Sequence, residues 1–181
     1  MMPAPTLTTA RLVLRQLRAD DAAALHPVLS DPELMTWWSS GPHQSLAETE
    51  TYVARNSAEG EGWICWAITT GDDDAALGWV ILMDGKPRVG EIGYILHRDK
   101  WGGGIAREAV ERVIEYGFTE GALRRIFADT DPENAESIAL LERLGFQREG
   151  LLREEWETHI GVRDSLIFGL LQSEWMMEKT K

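Results

Sequence analysis

Three runs of bulky residues follow one another with almost nothing between them. GWICWAIT spans 62–69, ALGWVILM 76–83 and RVGEIGYIL 88–96, joined only by GDDDA and DGKP. Each run has strand length and is rich in branched and aromatic residues. Links this short cannot carry the chain back to start a parallel strand, so the three runs form an antiparallel meander. The period then changes. Over 102–118 apolar residues fall at Ile105, Ala109, Val113 and Gly117, flanked by Ala106, Val110 and Ile114, which is one wide helical stripe. RRIFADT at 124–130 reads as a strand, NAESIALLERL at 134–144 as a helix ended by Gly145, and 146–156 and 162–171 as the last two strands. Upstream, 1–10 is a loose lead-in and LVLRQL at 12–17 a strand. Residues 19–29 read as a short helix that Asp20 or Asp21 can cap and that Pro27 should stop or kink. A loop with one helical turn covers 30–42, and Ser45 opens a helix to about Ser57 with Glu48 at capping-box spacing. Helices lying between strands suit an α+β (α/β) fold with helices packed on a mixed sheet.

The length, 181 residues, suits one domain, and no linker, repeat or low-complexity segment divides it. The charge sum, 18 basic minus 30 acidic, is −12, which argues against a nucleic-acid binder because phosphate contacts need Lys and Arg. It leaves room for a local basic pocket that takes an anionic cofactor. The single cysteine, Cys65, can form neither an internal disulfide nor a cysteine-based metal site, and no metal is expected. No apolar run has the length of a membrane span, and the first residues lack the apolar core of a signal peptide. The expectation is a reduced, cytoplasmic protein with no membrane partner.

LHRDKWGGGIAREA, residues 96–109, is the most informative stretch: a strand ends, glycines follow and a helix begins. The first helical turn leaves N–H groups unpaired, glycines let phosphate oxygens come close, and the helix dipole adds its field. Gly102, Gly103, Gly104, Ile105 and Ala106 can therefore cradle a pyrophosphate, or form a loop that lets a helix pack closely. No Gly-Lys-Ser/Thr follows, and the G-x-G-x-x-G spacing is absent, so nucleotide hydrolysis and dinucleotide redox chemistry are poor readings.

Four segments together resemble the GCN5-related N-acetyltransferase (GNAT) superfamily, and within it the branch of ribosomal-protein N-terminal acetyltransferases. They are TARLVLRQLRADDAAAL at 9–25, GEIGYILHRDKWGGGIAREAV at 90–110, DPENAESIALLERLGFQREG at 131–150 and GVRDSLIFGLL at 161–171. The resemblance covers residues 8–172 as a single N-acetyltransferase domain. It implies a central mixed sheet of about seven strands with helices on both faces. Acetyl-CoA would bind where two parallel strands splay, the one ending near Leu96 and the one at 124–130. The family's pyrophosphate signature falls on Trp101, Gly104 and Ala106, with Trp101 replacing the usual Gln or Arg. Arg98, Lys100 and Arg107 are candidate cations there.

The same resemblance assigns Gly93, Tyr94, Ile95 and Leu96 to the cofactor arm and the oxyanion donor, and Asn134 to the pantetheine. Ser137 lies near the thiol as cofactor contact and acid. Asn134 is equally a preferred helix cap, a role for which Asp131 competes. Acetyl transfer to an amine needs a held thioester, a base, an oxyanion donor and a neutralised leaving thiolate. Glu91, on the strand entering the cleft, is the first choice as base and acceptor contact; Glu154, Glu155, His159 and Asp164 are weaker candidates. Cys65 reads as a small apolar residue. Trp37, Trp38, Trp63, Trp66 and Trp156 are candidates to line a substrate groove, and Trp38, in the loop over the acceptor site, is the first choice among them. The expected acceptor is a peptide or protein N-terminus, with a small cationic amine as the rival and a non-catalytic acyl-CoA binder as the outsider. A homodimer stays open.

Overall fold

The computed structural model describes residues 4–58 and 62–178. Of the lead-in expected over 1–10, residues 1–3 lie outside that set. The rest is not all loose: β1 (Leu7–Thr8) pairs antiparallel with β2 (Leu12–Gln16). Leu7 drives this, since its side chain is buried in the core. A short 3-10 turn at Ala19–Asp21 leads into α1 (Ala22–Leu29). The Asp21 carboxylate does not cap α1; it accepts from Arg18 N at 2.8 Å and pairs with Arg15 at 2.7 Å. Nor does Pro27 stop the helix, which runs two residues beyond it to Leu29. The loop after α1 holds one 3-10 turn, Leu34–Trp37.

α2 (Leu46–Ser57) starts at Ser45, whose hydroxyl accepts from Glu48 N at 3.2 Å. The reciprocal half of the capping box is displaced by one residue: the Glu48 carboxylate accepts from Gln44 N at 2.8 Å. The meander then forms as its short links require: β3 (Trp63–Thr70), β4 (Gly78–Asp84) and β5 (Val89–Leu96), all antiparallel. α3 (Ile105–Phe118) begins three residues later than the sequence pattern suggested, so the glycines stand outside it. β6 (Arg125–Thr130) and α4 (Ala135–Arg143) follow, and Gly145, with φ of 84°, ends α4. The chain closes with the hairpin β7 (Gln147–Thr158) and β8 (Gly161–Leu171), then α5 (Gln172–Glu178).

The result is one eight-stranded sheet in the order β1-β2-β3-β4-β5-β6-β8-β7. The eighth strand, against about seven expected, is the two-residue β1. Only β5 and β6 run parallel. Helices cover both faces. On one, Leu14, Trp66, Val80, Ile92 and Ile126 pack with Val110, Val113 and Ile114 of α3 and Leu141 of α4. Trp175 of α5 joins that layer. On the other, Ala67, Trp79, Ile81 and Ile95 pack with Leu25, Val28 and Leu29 of α1 and Val53 of α2. Side chains alternate along a strand, so each residue of β5 is assigned to one layer or the other. Among the described residues no helix is long and apolar enough to cross a membrane.

Ile114 is fully buried where α3 meets the sheet. Ile114→Ala should lower stability by about 2–5 kcal/mol, read as a shift of the urea midpoint at unchanged slope.

Candidate active site

The parallel pair holds together over only three positions: Val89 opposite Arg125, Gly90 opposite Ile126 and Glu91 opposite Phe127. Beyond Glu91 both strands continue, β5 to Leu96 and β6 to Thr130, without pairing to each other. β5 stays bonded to β4, and β6 to β8, so the two arms are drawn to opposite sides of the gap. The edge of β5 from Ile92 to Leu96 has no strand across from it. Its alternate N–H and C=O groups open into the fork. Gly93, Tyr94, Ile95 and Leu96 therefore line one arm, and Glu91 sits at its root.

The glycine turn closes the open end of this arm. Gly102 and Gly104 both have φ of 76°, the left-handed conformation that glycine adopts without cost. Gly104 is the N-cap of α3, and no side chain caps the helix there. A Cβ built at Gly102 would meet nothing within 4 Å, and one at Gly103 only the Lys100 carbonyl at 3.9 Å. An uncapped helix start beside an exposed, open turn is the arrangement that receives an anion.

Two sequence candidates act differently there. The Trp101 indole N–H donates to the Leu96 carbonyl at 2.9 Å, so it offers a ring, 47% exposed, and no phosphate donor. Arg98 turns away, pairing with Asp31 at 2.8 Å and with Glu33. Lys100 and Arg107 remain exposed at the turn. Arg11, which the sequence reading passed over, holds the turn instead. Its Nη1 donates to the Gly103 carbonyl at 2.9 Å, and its Nε to Glu108 at 2.7 Å. Thr9 donates to the same carboxylate at 2.5 Å, which helps hold Glu108 below the usual carboxylate range against the opposing effect of burial.

The far wall of the fork carries the start of α4. Asn134 is its N-cap: the side-chain oxygen accepts from Ser137 N at 3.2 Å. Asp131 is not a rival for that place. It accepts from Glu133 N at 2.8 Å and pairs with Arg163 at 2.7 Å. The Ser137 hydroxyl meets the Tyr94 hydroxyl at 2.8 Å, spanning from α4 to β5 across the fork. Burial pushes the Tyr94 phenol up to about 12, so it stays protonated. Tyr94 belongs to the α3/α4 layer. Glu91 lies on the opposite face, across from Met83 of the α1/α2 layer. Burial, reinforced by the charge of Asp129, raises its carboxyl above the ordinary glutamate value.

Over that second face runs the 30–42 loop, strapped at both ends. Arg98 grips Asp31 and Glu33 on one side, and Arg163 lies over the Trp37 ring at 5.6 Å on the other. Trp38 donates to the Tyr52 hydroxyl at 3.0 Å and meets Trp79 edge-on. The weaker base candidates are elsewhere engaged or exposed. Asp164 accepts from Glu154 N at 2.8 Å at a strand irregularity, Glu155 is exposed, and His159 packs against Gly41. Cys65 is buried and its thiol is pushed up by that burial, which suits packing and not nucleophilic attack.

A mixed sheet that forks after a carboxylate, with an uncapped glycine-rich helix start at the open end, sets unpaired strand backbone beside a place suited to an anion. The chain belongs to the GNAT family: the model of the acetyltransferase (GNAT) domain matches residues 11–147. It is 37% identical over 174 residues to the uncharacterized N-acetyltransferase p20 of Bacillus licheniformis, covering 94% of this chain and 98% of that one. Among solved structures it resembles Mycobacterium smegmatis RimJ in complex with CoA-disulfide, with a TM-score of 0.80 at 27% identity over 94% of this chain and 87% of that one. It also resembles the spermidine N-acetyltransferase of Vibrio cholerae in complex with CoA and spermine, with a TM-score of 0.79 at 25% identity over 93% and 99%. The protein is an N-acetyltransferase that uses acetyl-CoA. The open turn and the free helix start fit the pyrophosphate of that carrier.

At Gly104 a β-branched residue is strained by the positive φ, and its Cβ would stand 3.5 Å from Arg11 Nη2, which holds the turn. Gly104→Val should weaken CoA binding at least about tenfold, since a lost backbone hydrogen bond to a charged group is worth roughly 1.5–3 kcal/mol. Calorimetry, with a circular dichroism melt to confirm folding, checks this.

Proposed function

We propose that this chain moves the acetyl group directly from acetyl-CoA to a primary amine, with Glu91 as the base and the N-terminus of a protein as the acceptor. One observation carries the reading: Glu91 stands at the root of the fork, on one face, while the Tyr94–Ser137 hydroxyl pair stands on the other. When bound, acetyl-CoA supplies an activated acetyl group as a thioester. The backbone from Trp101 to Ala106 binds the pyrophosphate, with Gly102, Gly103, Gly104 and Ile105 giving it access. Gly93, Tyr94, Ile95 and Leu96 hold the arm and present N–H groups to the carbonyl oxygen.

Asn134 caps α4 and still has its amide N–H₂ for the pantetheine. Glu91 takes the proton of the ammonium, directly or through water, so that the lone pair is free to attack. Ser137, backed by Tyr94, gives a proton to the leaving thiolate and takes back, through water, the second proton that the acylated nitrogen sheds, so that both hydroxyls end as they began. A free thiol has a pKa of about 8.5, so a hydroxyl chain is a competent donor only because the thiolate is formed beside it in a partly dry site. No protein nucleophile is needed.

Three features support a protein N-terminus as acceptor. The four segments resemble the ribosomal-protein branch. The loop that carries Trp38 runs over the Glu91 face of the sheet. It adjoins the β7–β8 hairpin, where Leu151, Leu152, Ile160 and Val162 are exposed and give a polypeptide something to lie on. A polyamine is the second reading, favoured by the Glu91–Asp129 charge pair and by the likeness to the Vibrio cholerae enzyme bound to spermine. The inferred setting is the cytoplasm. Thiol release on mixing acetyl-CoA with unblocked peptides and with spermidine decides between them: turnover with peptides alone supports the first reading, and turnover with spermidine alone the second.

Glu91→Gln should cut turnover about 10²–10⁴-fold, the usual worth of a positioned base, and remove the acid limb of the pH–rate profile while CoA affinity holds. The sign for stability is opposite. A carboxyl whose folded pKa is raised costs stability once pH rises above its unfolded value, so a neutral Gln relieves that cost. The variant should melt no lower than the parent at pH 7, checked by calorimetric scanning.

A further inference from the structure

Asp129 lies two residues beyond Phe127, the partner of Glu91, and therefore on the same face of the sheet and on the other arm of the fork. Nothing in the sequence marked it. Both of its oxygens are held. The Trp156 indole N–H donates to Oδ2 at 2.8 Å, and the buried Ser165 hydroxyl donates to Oδ1. The first bond spans a whole strand, because β8 stands between β6 and β7. It draws the Trp156 ring across the sheet from the outermost strand, yet the ring remains 50% exposed. A large aromatic ring tied to the Asp129 carboxylate but left open to solvent thus stands on the side of β6 that Phe127 and Asp129 share with Glu91. The 30–42 loop, with Trp38 packed against Trp79, lies over the same side of the sheet.

We propose that Asp129 is a positioning residue for the acetyl transfer: it fixes the Trp156 ring as a wall of the acceptor groove and sets a second negative charge beside Glu91, so that the amine is received as its alkylammonium cation. The inference rests on Glu91 being the base. Two carboxylates then divide the work. Asp129, tied by two donors, keeps its place. Glu91, with no hydrogen-bond partner recorded among the described residues, receives the proton. The ring face adds attraction for a cation and its adjoining methylenes. Both candidate acceptors, a peptide N-terminus and a polyamine, arrive as such cations at neutral pH.

Other titratable groups packed on this face are committed. Arg163 of β8 is spent on Asp131 and Glu133. Tyr52 of α2 and Cys65 of β3 are kept neutral by burial. His43 is lowered by burial, and His26 of α1 shares the Thr49 hydroxyl with it. Asp129 is the charge that acts on Glu91.

The test compares pH–rate profiles with saturating acetyl-CoA and either spermidine or an unblocked serine peptide as probe. Asp129→Asn keeps the shape and removes the charge. Glu91 then ionises more readily, and the acid limb should move about half to one pH unit lower. KM for the amine should rise about three- to tenfold, with CoA affinity unchanged by calorimetry. Trp156→Phe keeps a ring and the Asp129 charge but drops the N–H: it should raise KM and leave the limb where it is.

An unmoved limb in Asp129→Asn overturns the inference whatever happens to KM, because the residue would then only brace Trp156. An equal movement of the limb in Trp156→Phe overturns it too, since loosening and not charge would be the cause. The Glu91→Gln profile separates the two layers of the reading. If that variant loses the limb while Asp129→Asn leaves it in place, Asp129 fails and the base stands. If Glu91→Gln keeps the limb, the base assignment itself has failed and this inference falls with it.

Discussion

Everything in this molecule that touches chemistry follows from three residue pairs. β5 and β6 hold to each other from Val89/Arg125 to Glu91/Phe127 and then separate, because each is bound more extensively to its other neighbour. An interior sheet edge is normally a liability, since its unpaired backbone groups have lost water without gaining partners. Here the liability is the device. The unpaired groups sit where a ligand can complete them. The helices on either face keep the arms from collapsing together: α3 and α4 below, α1, α2 and the strapped loop above. The fork also sets Glu91 and the Tyr94 hydroxyl on opposite faces, since side chains along β5 alternate between the two layers.

How much of this could be read from the sequence depended on range. The meander was legible because its links are too short for any other connection. The glycine turn and the Asn134 cap were legible because each is local chemistry, decided within a few residues. The start of α3 was misplaced by three residues because glycines carry no periodicity to break; only the positive φ values reveal that they form the turn and not the first helical coil. β1 was missed because a two-residue strand has no pattern of its own and exists through Leu7 finding the core. α1 ends at Leu29, as the pattern indicated, and carries Pro27 within it because burial of Leu25, Val28 and Leu29 on one side outweighs one lost hydrogen bond.

The surroundings of the candidate site were less legible for the same reason. Glu91 was named from its place on the strand entering the cleft and from the family resemblance. Trp156 was named only as one tryptophan among five, and Asp129 was not named. Asp129 is brought to the same face by strand register, and Trp156 reaches it from 27 residues away across an intervening strand. Arg11 meets Gly103 at a separation of 92 residues. No spacing rule connects such pairs; they are products of topology. Arg98 shows the converse, a cation in the right segment whose side chain is taken by Asp31 and Glu33.

The strand order carries a consequence for how such a chain comes into being. β8, made after the other seven strands, inserts between β6 and β7, and it supplies β6 with six of its neighbours against three from β5. Until that segment leaves the ribosome, the far arm of the cleft has little to pull it outward, and Asp129 lacks Ser165. A growing polypeptide would thus hold the glycine turn before it held the gap, and the fork would open only once β8 had been added.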